Sequence, residues 1–254
     1  MSDPIWVDTH GHLFLLEDSA EAVLDRASEA GVGWLMCPGI DAETSARSEQ
    51  ISLDHPERVS WSAGLHPHSA SDWPDQEETI HELATRAQAI GECGLDYYRE
   101  LAPRDEQKRT FAAHLALASD LDKPVIIHCR DAFRDVYEML EQAAIGDRAV
   151  LHCWTGGPKW TKRFDDLGAT FSFAGPVTYA TADTLRLGVA EAPPDRSMVE
   201  TDSPYLTPEP LRGADNEPAN VPLTGAKLAE IWGLDVAEVA SLTTATAART
   251  FRRD

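Results

Sequence analysis

A (β/α)8 barrel is the fold this sequence predicts, as a single domain over residues 1–254. Two observations carry that expectation. Eight short hydrophobic runs alternate with amphipathic helical stretches along the whole chain, and 254 residues suit one barrel. A doubly wound open sheet is the competing architecture, but no Gly-x-Gly-x-x-Gly follows the first strand. No internal repeat or low-complexity tract interrupts the alternation.

The first strand is Trp6–His10, and it runs into His10-Gly11-His12. Residues i and i+2 of an extended strand share a face, so these two imidazoles converge. Asp18-x-x-Glu21 reads as a capping box opening the first helix, with Gly31 suited to its C-terminal side. Strands two and three are Gly33–Cys37 and Val59–Leu65, the latter leading into His66-Pro67-His68. Strand four, Ile90–Leu95, contains Glu92. Pro103 then precedes a long apolar-periodic helix from Glu106 to Leu121. Val125–Cys129 carries His128 and Ala149–Cys153 carries His152. Thr170–Phe173 and Met198–Thr201 complete the set, and Asp202 follows the last. The longest irregular stretch, Ser203–Pro222, is rich in Pro and Gly and lies where a loop over an active site belongs.

In such a barrel the C-terminal ends of the strands form the catalytic face. His10, His12, His66, His68, Glu92, His128, His152 and Asp202 therefore gather at one mouth. A histidine at a strand end, taken singly, is more often an ordinary hydrogen-bonding residue, and Asp202 alone reads as a loop cap. Together, on successive strands, they predict a metal site. His, Glu and Asp suit Zn, Mn, Fe or Mg, and a carboxylate such as Glu92 is able to bridge two ions. A purely structural site takes four protein ligands and keeps no open position, fewer than the candidates here.

Acidic residues number 43 against 22 basic ones, for a net charge of −21. That surface repels polyanions at long range, unlike the basic footprint of most nucleic-acid binders. Adaptation to high salt, where the Debye length shrinks to about 3 Å at 1 M, would reconcile this charge with an anionic substrate. No apolar run approaches the roughly 20 residues a bilayer demands, and no basic leader opens the chain. A cytoplasmic protein without a membrane contact or an obligate protein partner is expected. Cys37, Cys93, Cys129 and Cys153 show no Cys-x-x-Cys spacing and read as small core residues in a reducing compartment. Three of them directly follow a candidate ligand, so strand alternation points their thiols outward.

The blocks Asp8-Thr9-His10-Gly11-His12, Gly64-Leu65-His66-Pro67-His68, Gly91-Glu92-Cys93-Gly94-Leu95-Asp96-Tyr97-Tyr98 and His128-Cys129-Arg130-Asp131 resemble those of TatD-type metal-dependent hydrolases. So do His152-Cys153-Trp154-Thr155-Gly156, Glu200-Thr201-Asp202-Ser203-Pro204-Tyr205-Leu206 and Asn216-Glu217-Pro218. The likeness runs through essentially the whole chain in order. It implies an amidohydrolase-superfamily barrel with divalent-metal nuclease activity on DNA, acting on single strands or ends. It further implies two divalent ions (Mg, Mn or Zn). His10, His12, Glu92 and Asp202 would hold one, and Glu92, His128 and His152 the other. His66 would contact the scissile phosphate or a water on the metals, and His68 would cap its loop.

Arg130 shares strand parity with His128, so its guanidinium is expected to face the same cavity and grip a phosphate. An ion pair with Asp131 is the competing role. Asp202 is the expected general base in hydrolysis by a metal-activated water, whose pKa falls from about 15.7 to near 7. Glu200, of the same parity, would orient a ligand from behind. One departure from the family pattern stands out: Arg212-Gly213-Ala214-Asp215 replaces a more basic run before Asn216-Glu217-Pro218. Ala214 and Asp215 stand where the family pattern has cations, leaving Arg212 as the nearby candidate for a phosphate. An amidohydrolase or ester hydrolase, such as an aminoacyl-tRNA deacylase, is the alternative on the same metal site, because this fold hosts many chemistries.

Overall fold

The computed structural model describes residues 5–253. Its eight strands form one sheet in sequence order, each paired in parallel with the next. They are β1 (Trp6–Asp8), β2 (Val32–Pro38), β3 (Val59–Ala63), β4 (Ala89–Asp96), β5 (Val125–Arg130), β6 (Ala149–Leu151), β7 (Thr170–Phe173) and β8 (Ser197–Val199). Helices α1 (Ala20–Glu29), α2 (Ala42–Asp54), α3 (Trp73–Arg86), α4 (Arg104–Leu121), α5 (Phe133–Ala143), α6 (Pro158–Asp166) and α7 (Asp183–Glu191) connect them. Two more, α8 (Val221–Trp232) and α9 (Val236–Phe251), follow β8. The barrel is the fold the alternating pattern predicts.

Between sheet and helices lies the main core, where Trp6, Trp61, Ile90, Phe111, Phe164 and Phe171 are buried together. A separate cluster of Val7, Met36, Ala89, Ile126, Val150 and Met198 packs against Ala247 and Phe251 of α9. Strand alternation thus delivers one apolar set to the helices and another to the barrel interior.

The ring closes through the segments just past β1 and β8. Thr9 N–H donates to Val199 O at 3.0 Å, Asp202 N–H to His10 O at 2.8 Å, and His12 N–H to Ser203 O at 2.8 Å. Asp8 seals this seam by accepting from Thr201 N–H at 2.9 Å and Thr201 Oγ1 at 2.6 Å. Burial nevertheless pushes its carboxyl up to about 8.

Several local expectations are corrected. β1, β3, β6 and β8 stop short of the predicted ends, so His10, His66, His152 and Asp202 stand just beyond the ladder. Asp8 is one cause: its Oδ1 accepts from His10 N–H at 3.2 Å, an Asx-type contact that turns the chain as β1 ends. His10 and His12 still flank a parallel bridge from Gly11 to Ser203 and point the same way, their Nε2 atoms 3.3 Å apart, as extended i and i+2 residues do. Ser19, not Asp18, caps α1, accepting from Ala22 N–H at 3.3 Å, while Asp18 pairs with Arg26 at 2.9 Å. Cys153 also departs from strand alternation. It sits at φ 42° and is half-exposed, whereas Cys37, Cys93 and Cys129 are buried. No helix among the described residues is long and apolar enough to cross a membrane. The expectation about a leader falls on residues 1–4, which lie outside the described range.

Candidate metal centre

Glu92 is aimed by an irregularity in its own strand. Opposite β5, Ile90 pairs with Val125 but Cys93 pairs with Ile127, so β4 carries an extra residue at Gly91-Glu92. A bulge of this kind shifts the alternation by one and re-aims a side chain, a device common beside active sites. Ile90 and Cys93 both pack in the outer core, which leaves Glu92 free to point inward. The crossing demands glycine: a Cβ on Gly64 of the neighbouring segment would stand 2.5 Å from Gly91 Cα.

The two carboxylate oxygens of Glu92 face different imidazoles. Oε2 lies 3.2 Å from His10 Nε2 and 3.7 Å from His12 Nε2. Oε1 lies 3.0 Å from His152 Nε2, 3.1 Å from His128 Nδ1 and 3.4 Å from His66 Nε2. Asp202 Oδ1 joins the first set, 3.6 Å from His12 Nε2 and 3.9 Å from His10 Nε2. Ligand-capable atoms fall within 4.8 Å of one another in three groups: His10, His12 and Asp202; His66, Glu92 and His128; His10, His152 and Glu200. All the residues expected to face the cavity gather there except His68 and Arg130, which stand one layer out. His66 comes nearer to the carboxylate than a residue merely beside the site.

Behind the ring of imidazoles stand two more carboxylates. Glu200 is fully buried, and its Oε1 accepts from His152 Nδ1 at 3.1 Å and Cys153 N–H at 2.8 Å, turning His152 Nε2 toward Glu92. Asp96 was not singled out from the sequence. Its Oδ2 meets His128 Nε2 at 3.1 Å and His68 Nε2 at 2.9 Å, while Oδ1 accepts from the N–H groups of Tyr98 and Arg99. His68 thus spends its ring on Asp96 and does not cap its loop. The signal for Asp96 was present: it sits four residues after Glu92, on the same face of β4. Outer carboxylates that fix a ligating imidazole are worth about 10–100-fold in metal affinity. Asp96→Asn is expected to weaken binding by that factor in a chelator competition; unchanged affinity would remove Asp96 from this role.

Arg130 is exposed on the rim, its guanidinium 4.0 Å above the ring of Tyr98, and it makes no ion pair with Asp131. Its side chain therefore lines the mouth and not the inner cavity. Arg212 pairs at 3.9 Å with Glu209 and covers the Tyr179 ring at 4.3 Å.

The electrostatics follow from burying many titratable groups together. Burial opposes the charged form of Glu92, but His152, His66 and His10 outweigh it and hold its carboxyl well below the usual range. Asp202 is likewise held low against burial, by the hydrogen bond from His12 and the surrounding imidazoles. Burial also opposes the charged forms of His12, His128 and His152. Carboxylates overcome it in each case and raise all three. For His10 and His66 burial wins, lowering His10 and bringing His66 to about 4.

The donor set fits divalent cations. His10 Nδ1 and Glu200 Oε2 are buried without a hydrogen-bond partner among the described residues, a condition worth about 1–3 kcal/mol per group. Ionised carboxylates and imidazole nitrogens packed 3.0–3.9 Å apart form a donor set that a divalent cation fits once it displaces the imidazole protons.

A parallel eight-stranded barrel with imidazoles and carboxylates gathered at its C-terminal mouth defines a metal-dependent hydrolase. Residues 7–252 match the family described as TatD related DNase, and the chain belongs to that family. It is 36% identical over 251 residues to YabD of Bacillus subtilis, named an uncharacterized metal-dependent hydrolase, with 96% of this chain and 98% of YabD covered. It is 37% identical over 246 residues to the 3'-5' ssDNA/RNA exonuclease TatD of Pectobacterium parmentieri, with 93% and 94% covered. Among solved structures it is similar to YJJV, a TatD homolog from Escherichia coli, at a TM-score of 0.89 and 27% identity over 98% of each chain.

Proposed function

We propose that this chain is a divalent-metal-dependent deoxyribonuclease that hydrolyses phosphodiester bonds at single strands or ends. The observation that carries the reading is Glu92, whose two oxygens face separate sets of imidazoles. That is the arrangement a carboxylate shared by two ions requires. His10, His12, Glu92 and Asp202 would hold one ion. Glu92, His128 and His152 would hold the other, with His66 facing the same oxygen of Glu92. Mg, Mn or Zn bound there would neutralise charge on the phosphodiester and acidify a water.

The protein's own groups do the rest. Asp202, ionised at neutral pH and half-buried at the mouth, accepts the proton of the attacking water. His66, neutral because burial brings it to about 4, is available to touch the scissile phosphate without adding charge. Arg130 on the rim offers a guanidinium to a flanking phosphate. The exonuclease named among the relatives supports this choice of bond. A panel of end-labelled oligonucleotide, small phosphodiester and charged tRNA tests it. Cleavage of the oligonucleotide is expected; turnover of charged tRNA alone would replace the nuclease reading with a deacylase.

Metal binding should depend on pH in a defined direction. His12, His128 and His152 carry raised pKa values, so without metal their protons compete with the ion. Affinity should rise as pH climbs through those values, with proton release visible as a buffer-dependent binding enthalpy. Affinity that stays flat from about pH 5 to 8 would contradict this.

A further inference from the structure

The chain is strongly acidic, yet its unpartnered cations lie along one arc of the barrel. Elsewhere the positive charges are consumed locally. Arg26 binds Asp18 and Glu217, Arg58 binds Asp25 and Glu21, and Arg86 binds Glu49. Arg252 binds Asp122. Among the described residues, the exposed cations with neither a carboxylate nor a hydrogen-bond partner are Arg99, Arg130, Arg134, Lys159, Lys162 and Arg163. They end or follow β4, β5 and β6 in turn.

Parallel-barrel geometry starts the segments that carry these residues at the end of the barrel that bears the metal centre. Arg134 and Lys159 fall in the first turns of α5 and α6, which start at the same end of the barrel as His128 and His152. From His152 to Lys159 the chain spans no more than about 25 Å even if fully extended. Aromatic rings interleave with the cations. Tyr98 is exposed beneath Arg130, and the Arg163 guanidinium lies 4.9 Å from the Tyr137 ring and 5.1 Å from the Trp160 ring. A cleft of about 370 Å³ opens between α5 and α6, lined by Arg134, Tyr137, Glu138, Glu141, Trp160 and Arg163.

We infer that a single strand engaged at the metal centre continues over the rim between α5 and α6. Its phosphates lie on Arg134, Lys159 and Lys162, and one base enters the cleft against Trp160. This rests on the nuclease reading and extends it to the path of the substrate. A positive groove combined with aromatic faces is how proteins hold single strands without reading sequence. Glu138 and Glu141 inside the cleft repel phosphate, which leaves the base as the part that enters and the outer lysines as phosphate contacts. The same layout lets an acidic protein bind a polyanion, because attraction is needed only along the strand's path.

The test is fluorescence anisotropy of the metal-loaded protein with a labelled phosphorothioate oligo(dT), read as a function of salt. For single strands the slope of log K against log[salt] is about −0.7 per phosphate neutralised. K159A/K162A should therefore flatten the slope by about 1.4 and weaken binding at low salt. Trp160→Ala should weaken binding roughly tenfold with little change in slope, as stacking is uncharged. R86A/R252A removes the same two charges elsewhere and should leave the slope unaltered. A wild-type slope in K159A/K162A, or an equal change in R86A/R252A, would overturn the proposed path. Failure of the unaltered protein to bind the oligonucleotide at any salt would instead overturn the nuclease reading beneath it.

Discussion

Glu92→Gln is expected to lower turnover by roughly 10³-fold and to cost the protein bound metal. The amide keeps the shape but offers a single acceptor oxygen, and its NH2 donates where a lone pair is required. Whichever way it is turned, either the His10–His12 side or the His66–His128–His152 side loses its carboxylate oxygen. Charge stabilisation lost from one ion is worth several kcal/mol, and about 4 kcal/mol corresponds to the stated factor. The barrel should survive, because its closing seam through Asp8 and Thr201 does not involve Glu92. Metal content per chain and turnover, measured on the same preparation, check the expectation. Full metal loading with near-normal turnover would show that the carboxylate is not shared.

Asp202→Asn should reduce kcat by about 10²–10⁴-fold, the range typical of removing a general base. Asp202 sits at φ 56°, a left-handed conformation that asparagine tolerates as readily as aspartate, so the backbone should not move. Because Asp202 would also hold one ion, the expected signature is a fall in kcat that persists at saturating metal, with KM little changed. A variant that keeps its rate would assign the base to another group.

Much of the barrel was legible in the sequence because its physics is local. Strand and helix periods differ, and the chain alternates between them eight times. The convergence at the mouth was legible too, since consecutive parallel strands bring their C-terminal ends together. What sequence spacing missed depends on contacts between distant segments. The early end of β1 arises from Asp8 binding His10 N–H while also reaching across to Thr201. The inward aim of Glu92 arises from a register shift against β5, which a strict period of two does not reveal. The role of Asp96 escapes sequence spacing because it needs two partners from distant segments, His68 in the turn after β3 and His128 in β5. Arg130 fits the rule of parity, yet the exposed Tyr98 ring draws its guanidinium to the rim.

The net charge of −21 also takes on a different meaning with the structure in view. Read as an average, it argues against a polyanionic substrate. The ion pairs show that averaging misleads, because cations outside the β4–β6 arc are neutralised by neighbouring acids or bonded to nearby oxygens.

The central claim is that the C-terminal mouth hydrolyses single-stranded DNA by means of divalent ions. Its most direct test strips the purified protein with a chelator, adds back Mg, Mn or Zn separately, and follows an end-labelled oligonucleotide. Cleavage should be lost on stripping and recovered with at least one of the three ions, and in Glu92→Gln the recovered rate should stay roughly 10³-fold lower. Cleavage that persists undiminished after complete metal removal would contradict the claim.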